Sequence, residues 1–184
     1  MKKRYLQIIV PLLIVVAVAG LWLVKNLGND SVGGFSAAEQ ATLPAHLQDA
    51  DFSLVAAGAV DMVALAQYGL PMIIDYGFES CGPCRRMAPT LEAVNADYFG
   101  RAFIKYVDVV DHPDAADGLP VLVYPTQIFV NGDGTPFEPS ASLDNQIHFA
   151  VYNDKETGAR AYTTHQGILT EAEMRLILEE MGVE

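Results

Sequence analysis

The sequence predicts an α/β fold, in which a mixed central sheet is flanked by helices and preceded by an N-terminal transmembrane helix. Two observations predict the sheet: strand and helix patterns alternate early in the globular part, and hairpin patterns follow late in it. A third observation, a long apolar run near the N-terminus, predicts the membrane helix.

The first 25 residues predict a membrane anchor. The basic cluster KKR at 2–4 precedes an apolar run of 19 residues, 6–24, in which Gln7 is the only polar side chain. About 20 apolar residues cross the hydrocarbon core as a helix, and flanking basic residues stay on the cytoplasmic side. We therefore expect residues 1–25 to form a signal-anchor. The rest of the chain would lie outside the cytoplasm, in the periplasm or at the cell surface.

A cleaved signal peptide is the alternative interpretation, because Ala17, Val18 and Ala19 resemble a signal-peptidase site. Cleavage after this tripeptide would leave the apolar stretch LWLV near the new N-terminus. The apolar run is also longer than a typical signal core, so the anchor is favoured. In both cases the two cysteines face an oxidising compartment.

Residues 26–50 contain several glycines, one proline and little apolar periodicity, which predicts a linker. We expect the folded domain to cover residues 51–184. Beyond residue 25 the chain carries seven basic and 23 acidic residues, a net charge of −16. Since phosphate contacts need Lys and Arg, this charge argues against a nucleic-acid partner.

The spacing of apolar residues predicts the elements of the folded domain. Met87, Leu91 and Val94 follow the i, i+4, i+7 pattern of one helix, and Pro89 is expected to kink it. Thr170 starts a capping box for the last helix. The predicted strands cover residues 51–57, 71–76, 102–109, 125–130, 147–152 and 159–165. The predicted helices cover residues 60–67, 84–98 and 170–181, with a turn or short helix at 111–118.

Both cysteines of the chain lie in the stretch IIDYGFESCGPCRRMAP, as Cys81 and Cys84 with a Gly-Pro pair between them. A structural zinc site needs about four ligands, and the sequence has neither a second cysteine pair nor histidines at ligand spacing. A structural disulfide is also disfavoured, because closing a two-residue gap removes little entropy from the unfolded chain. Both readings remain minor alternatives.

A redox pair explains more of the local pattern. A buried strand leads to Cys81, and a helix follows whose N-terminal N–H groups and partial positive charge stabilise a thiolate. Pro83 lies in the first helical turn, where its missing N–H costs nothing, and Gly82 lets a partner's backbone approach. Arg85 and Arg86 add positive charge one turn further on.

This stretch resembles the thioredoxin family. IIDYGFESCGPCRRMAPTLEAV is similar to the family's strand, Cys-Gly-Pro-Cys turn and kinked helix, and YPTQIFVNGDG is similar to its cis-proline strand. Asp75 falls where the family has a buried acid, and Pro89 falls where it has its helix-kinking proline. Gly167 is similar to the glycine before the last helix. The resemblance covers about residues 51–182 and implies a thioredoxin-like fold.

The resemblance implies a role for each matching residue. Cys81 would attack a substrate disulfide, Cys84 would resolve the mixed disulfide, and Asp75, its pKa raised by burial, would take the proton from Cys84. Pro125 would follow a cis bond, with the backbone at Tyr124 pairing with the bound chain. The implied catalytic residues are Cys81, Cys84, Asp75 and Pro125, and the implied substrate-binding residues are Gly82, Pro83, Tyr124 and Thr126. No metal and no cofactor beyond the redox-active disulfide are implied.

Three departures from the family pattern stand out. Ser80 occupies the position before the first cysteine, where the family usually has a Trp, which leaves the choice of partner open. Lys105 matches the family's lysine near the buried acid only if one residue is inserted after it. Between Asn131 and Gly167 the chain is longer than a plain thioredoxin, and we expect the extra length to extend the late hairpin.

The Gly-Pro dipeptide resembles that of the reducing members of the family. We therefore expect a protein-disulfide reductase that acts on exported proteins and is re-reduced by a membrane thiol-electron transporter, cytochrome c maturation being one such setting. The anchor would keep the domain close to that electron donor. A disulfide-forming oxidase or isomerase is one alternative. A membrane-tethered binding module without catalytic cysteines is another.

Overall fold

A computed structural model describes residues 35–184 of the chain. The expected anchor over residues 1–25, with its apolar run 6–24, lies outside the described residues. Within the described part, no helix is both long and apolar enough to span a bilayer.

The described residues are built around a five-stranded mixed sheet. Its strands are β1 (Met72–Gly77), β2 (Phe103–Asp108), β3 (Thr126–Val130), β4 (Ala150–Asn153) and β5 (Arg160–Gln166). They lie in the order β2-β1-β3-β5-β4, with β1 and β2 parallel and the other neighbours antiparallel. The mixed sheet predicted from the sequence is therefore confirmed.

Five α-helices accompany the sheet within the described residues. They are α1 (Ala37–Gln40), α2 (Met62–Ala66), α3 (Gly82–Asp97), α4 (Ala141–Ile147) and α5 (Glu171–Glu180), with 3₁₀ turns at Ala45–Leu47 and Pro113–Ala116. α5 begins with the predicted capping box: Thr170 accepts the backbone N–H of Glu173, and the Glu173 carboxylate accepts that of Thr170. This exchange satisfies two N–H groups that a helix start leaves unpaired.

Alternating side chains of β1 enter two apolar clusters, one on each face of the sheet. Ile73 packs in a cluster with Met87 and Leu91 of α3 and with the apolar side of α5. Ile74 packs in the other cluster, with Phe52 and the chain that precedes β1. All six residues of β1 are buried. Since side chains alternate along a strand, the position of a residue in β1 decides which cluster it meets.

Residues 51–57 do not form the predicted strand. Of this segment, only Val55 pairs with the sheet, through one parallel bridge to Tyr106. The Asp51 carboxylate accepts the backbone N–H of Ser53 at 2.9 Å. This local bond occupies a donor that a continuous strand would use for pairing, and it keeps the segment irregular.

The folded unit begins earlier in the chain than residue 51. Residues 35–50, which are predicted to belong to the linker, contain α1 and a 3₁₀ turn. Phe35 stacks on Phe99 with ring centroids 3.8 Å apart, and Leu47 is buried in the core. These contacts attach the segment to the same apolar cluster as Phe52.

The expectation that the extra length extends the late hairpin is wrong in part, because some of it forms α4. The Ser140 hydroxyl accepts the backbone N–H of Leu143 and caps this helix. Leu143 and Ile147 follow one turn apart and are both buried. His148 ends the helix in the left-handed region, with φ of 62°. The hairpin of β4 and β5 starts only after it, at Ala150.

Candidate active site

Cys81 and Cys84 are joined by a disulfide at the start of α3. Cys81 is the N-cap residue, and its sulfur accepts the backbone N–H of Cys84 at 3.2 Å. Both residues are largely buried in this form, with exposed fractions of 7% and 5%. The resemblance implies an exposed first cysteine and a buried second one, but this difference in exposure is small while the disulfide is closed.

The residues around the pair explain why a helix starts there. Pro83 lies in the first turn, where no intrahelical N–H bond is lost, and Gly82 adjoins the first sulfur. The Cys81 sulfur lies at the positive end of a helix of 16 residues, which stabilises a thiolate. Arg85 and Arg86 are exposed on the next turn, and their charge acts in the same direction.

Asp75 lies in the middle of β1 and has no exposed surface. Burial raises the pKa of its carboxyl to about 7, and a hydrogen bond donated by Gln127 Nε2 to Oδ1 at 2.6 Å opposes that rise. Oδ2 has no hydrogen-bond partner among the described residues. A carboxyl with a pKa near 7 can both take up and release a proton at neutral pH.

Asp75 and Cys84 share one face of the sheet. Gly77 follows Asp75 by two residues in β1, so the two positions point to the same side, about 7 Å apart along the strand. A Cβ atom built on Gly77 would lie 3.1 Å from Cys84 Sγ. The second sulfur therefore rests on bare strand backbone, on the side to which the Asp75 carboxyl also points.

The loop before β3 lies beside Cys81. The Tyr124–Pro125 peptide bond is cis, as the resemblance implies. The Tyr124 carbonyl oxygen lies 3.8 Å from Cys81 Sγ, and the Thr126 hydroxyl donates to the Val123 carbonyl at 2.7 Å. The structure thus brings Tyr124, Pro125 and Thr126 together with the dithiol.

An aromatic side chain also reaches this edge. Phe78 packs edge to face on Tyr124, with ring centroids 5.3 Å apart. Ser80, which stands where the family usually has Trp, is exposed. The aromatic group beside the cis bond therefore comes from a position two residues earlier than the family pattern predicts.

Lys105 lies on the opposite face of the sheet from Asp75, so its expected proximity to the buried acid is wrong. The register of β1 and β2 pairs Asp75 with Tyr106, one residue further on. Lys105 Nζ instead donates to the Asp51 carboxylate at 2.9 Å. The Tyr106 hydroxyl donates to Asp108 at 3.3 Å, and burial, followed by the Asp108 charge, raises the pKa of this phenol.

Two further polar residues, Gln127 and His165, were not identified from the sequence. Gln127 of β3 is fully buried and bridges from the Asp75 carboxyl to β5, where its Oε1 lies 2.8 Å from His165 Nδ1. A glutamine inside the apolar strand TQIFV is the signal that the sequence offered, because a buried amide needs hydrogen-bond partners.

The site meets the chemical requirements of thiol–disulfide exchange. Reduction of the disulfide places a thiolate where the helix start stabilises it, and a proton acceptor lies on the face where the second sulfur sits. Among residues 35–184, no three His, Cys, Asp or Glu side chains are placed to hold a metal ion. The site therefore belongs to the class in which a dithiol exchanges two electrons with a disulfide.

Comparison with known proteins agrees with this class. A family model described as Thioredoxin matches residues 62–149. The thioredoxin of Staphylococcus aureus is 36% identical over 83 residues, which make up 45% of this chain and 79% of that protein. The chain therefore belongs to the thioredoxin family, and it is a thioredoxin-like thiol–disulfide oxidoreductase.

Solved structures of thioredoxins are also similar to the chain. Fasciola hepatica thioredoxin is 24% identical, with a TM-score of 0.48, and the match covers 70% of this chain and 98% of that one. Chloroplastic thioredoxin z is 22% identical, with a TM-score of 0.45, and the match covers 65% of this chain and 85% of that one.

Replacing Asp75 by Asn should stabilise the protein at neutral and alkaline pH. The folded-state pKa of about 7 exceeds the ordinary value of 3.8, so between these values the folded state holds a proton that the unfolded state has lost. The proton that the folded state retains stabilises it relative to the unfolded state. This stabilisation is fully present below about pH 4 and is lost as the pH rises to about 7, which lowers the free energy of unfolding by about 4 kcal/mol. Asparagine does not ionise and removes the loss.

Urea unfolding of the disulfide form between about pH 4 and 9 measures this effect. The free energy of unfolding of the wild type should fall across the interval relative to that of Asp75→Asn. The matched control is Asp117→Asn, which changes an exposed carboxylate and should keep the wild-type fall. Parallel pH curves for the wild type and Asp75→Asn would contradict the buried carboxyl as the cause.

Proposed function

We propose that the protein is a protein-disulfide reductase for exported proteins, anchored in the membrane and re-reduced there by a thiol-electron transporter. The observation that carries the proposal is the position of the Cys81–Cys84 pair. The pair lies at the start of α3, beside the cis Tyr124–Pro125 bond and on the sheet face to which Asp75 points.

In the proposed reaction the Cys81 thiolate attacks one sulfur of the substrate disulfide. A mixed disulfide forms, and the other substrate sulfur leaves as a thiolate. Cys84 then gives its proton to Asp75, and the Cys84 thiolate attacks Cys81 Sγ. The remaining substrate thiolate leaves, and the oxidised pair has the disulfide seen in the structure. Two electrons pass from the dithiol to the substrate.

A proton acceptor at Cys84 speeds this reaction because an ordinary thiol, with a pKa of about 8.5, gives little thiolate at neutral pH. Asp75, with a pKa of about 7, is partly ionised there and releases the proton again after each turnover. Tyr106 pairs with Asp75 in the register, but burial raises the pKa of its phenol, so it does not serve as the acceptor.

Exposed apolar groups around the first sulfur support a protein substrate. Leu122 and Tyr124, just before the cis bond, are 73% and 38% exposed. Gly167 donates its backbone N–H to the Pro125 carbonyl at 2.9 Å, which brings the exposed Ile168 to the same rim. Clustered exposed apolar side chains of this kind mark surfaces that bind proteins.

A Cys84→Ser variant should trap the substrate. With the resolving thiol removed, Cys81 should form a mixed disulfide with a cysteine of insulin. This adduct should accumulate and appear in mass spectra of the full-length protein. Cys81→Ser should form no such adduct and should lose insulin reduction. The remote change Gly58→Ala, whose added carbon meets open space, is the control and should keep wild-type activity. Insulin reduction that is absent from both the wild type and Cys81→Ser, or that is unaffected by this change, would support a binding module instead.

The reduction potential of the pair should be close to that of thioredoxin itself, about −270 mV. The reason is the Gly82-Pro83 dipeptide, which resembles that of reducing family members. Equilibration of the full-length protein with thiol–disulfide buffers, followed by alkylation of free thiols, gives the value. A potential of about −120 mV would identify a disulfide-forming oxidase, and the direction proposed here would be wrong.

The anchor in this proposal is the segment 1–25, because of its basic cluster and apolar run. Full-length protein should stay with the membrane after an alkaline wash, and external protease should degrade its folded domain in intact spheroplasts. A variant without residues 1–25 should be released into the soluble fraction. A wild-type protein that is soluble and shortened at its N-terminus, as shown by intact mass, would identify a cleaved signal peptide instead.

A further inference from the structure

A chain of polar side chains crosses three strands behind the dithiol. Gln127 of β3 donates from Nε2 to Asp75 Oδ1 at 2.6 Å and to the Gly167 carbonyl at 3.1 Å, and the same nitrogen lies 3.4 Å from Met87 Sδ. On its other side Gln127 Oε1 lies 2.8 Å from His165 Nδ1. Gln127 is fully buried, so each of these partners replaces a lost water.

The chemistry of the partners fixes which atom faces which. A carbonyl oxygen only accepts hydrogen bonds, so the Gln127 atom next to the Gly167 carbonyl is the nitrogen. The amide oxygen then faces His165 Nδ1 and, being an acceptor, requires a hydrogen on that ring nitrogen. His165 is therefore the Nδ1–H tautomer, and the other ring nitrogen is the one that gains or loses a proton.

We propose that His165 is a positioning residue of the redox site: its Nδ1–H holds the Gln127 amide so that the amide nitrogen faces the Asp75 carboxyl. The inference rests on the proposed function only for its effect on turnover, where Asp75 is the proton acceptor for Cys84. Its effect on Asp75 itself is independent of turnover.

The orientation matters because the two ends of an amide act oppositely on a carboxyl. A nitrogen donates to the ionised form and favours it, whereas an oxygen would repel it and favour the protonated form. The bond from Gln127 lowers the pKa of Asp75 against the larger effect of burial. Without His165, the nitrogen-inward orientation keeps the Gly167 carbonyl but loses the donor on its oxygen side.

Four other ionisable groups lie near Asp75 or His165 or act on them electrostatically. Tyr106 of β2 interacts electrostatically with Asp75, and Cys84 of α3 lies on the same sheet face. Around His165, burial lowers the pKa of the imidazole, Glu173 raises it and His148 lowers it. Substitutions of His165 leave Tyr106, Cys84, Glu173 and His148 unchanged. A change in the pKa of Asp75 in such variants therefore reports on the His165–Gln127 contact.

The test measures Asp75 directly, by ¹³C NMR titration of its side-chain carboxyl in the full-length protein with the disulfide closed. His165→Leu should raise the pKa of Asp75 by about one pH unit, because the amide oxygen loses its donor and only the Gly167 carbonyl then favours the nitrogen-inward orientation. His165→Asn carries an N–H that can take the place of Nδ1–H, so it should keep the wild-type value. An unchanged pKa in His165→Leu, or equal shifts in both variants, would overturn the proposal.

A second background isolates the path through the glutamine. Gln127→Leu should itself raise the pKa of Asp75, and adding His165→Leu to it should change the value little further. Full additivity of the two shifts would mean that His165 acts on Asp75 without Gln127, which is contrary to the proposal. If His165→Leu does not fold, the wild-type ring decides, since ¹⁵N shifts that show an Nε2–H tautomer would also overturn it.

Insulin reduction against pH separates this inference from the proposed function. If both are right, the rising limb of the His165→Leu profile moves to higher pH together with the pKa of Asp75, and His165→Asn restores it. A shifted carboxyl with an unmoved profile would support the positioning role of His165. The same result would remove Asp75 from the proposed reaction.

Discussion

Helix α3 packs on the face of β1 that carries Ile73, Asp75 and Gly77, and this contact fixes where both sulfurs lie. Met87, Leu91 and Val94 of the helix are almost completely buried in the same cluster as Ile73. These packed apolar side chains set the distance between the helix and the strand. The start of the helix then lies over Gly77, where β1 has no side chain. A well-packed core resists small shifts, so the distance between the cysteine pair and the buried carboxyl is held by packing rather than by any bond between them.

The same packing buries Asp75, and the ionised form of this carboxyl therefore destabilises the folded protein. The carboxyl is fully buried and receives one hydrogen bond, from Gln127 of β3, so its charged form is disfavoured inside the protein. In the proposed reaction this unfavourable environment gives Asp75 its role in proton transfer, since functional groups often occupy such environments. Gln127 reduces this destabilisation, because it supplies the single donor that the ionised carboxyl has among the described residues.

Local patterns carried most of what the sequence allowed us to predict. The apolar run of β1, the helical spacing of α3 and the capping box at Thr170 depend on neighbours close in the chain, and the structure confirms them. The register between strands is not local: Lys105 and Tyr106 are neighbours in the chain, and a shift of one residue moves a side chain to the other face of the sheet. The contact of Gln127 with His165 joins positions 38 residues apart, and only the pairing of β3 with β5 reveals it. Helix α4 was missed because its short apolar spacing runs directly into the strand-forming stretch HFAVY.

Gly77 has a wider consequence for how such a protein can diversify. One extra carbon at this position would press on Cys84 at 3.1 Å and on the Tyr106 ring at 3.2 Å. Cys84 Sγ therefore lies against main chain of β1, which side-chain substitutions at the rim do not replace. Leu122 and Ile168 are exposed to solvent. A protein built in this way can therefore change its exposed rim without disturbing the main-chain contact beneath Cys84.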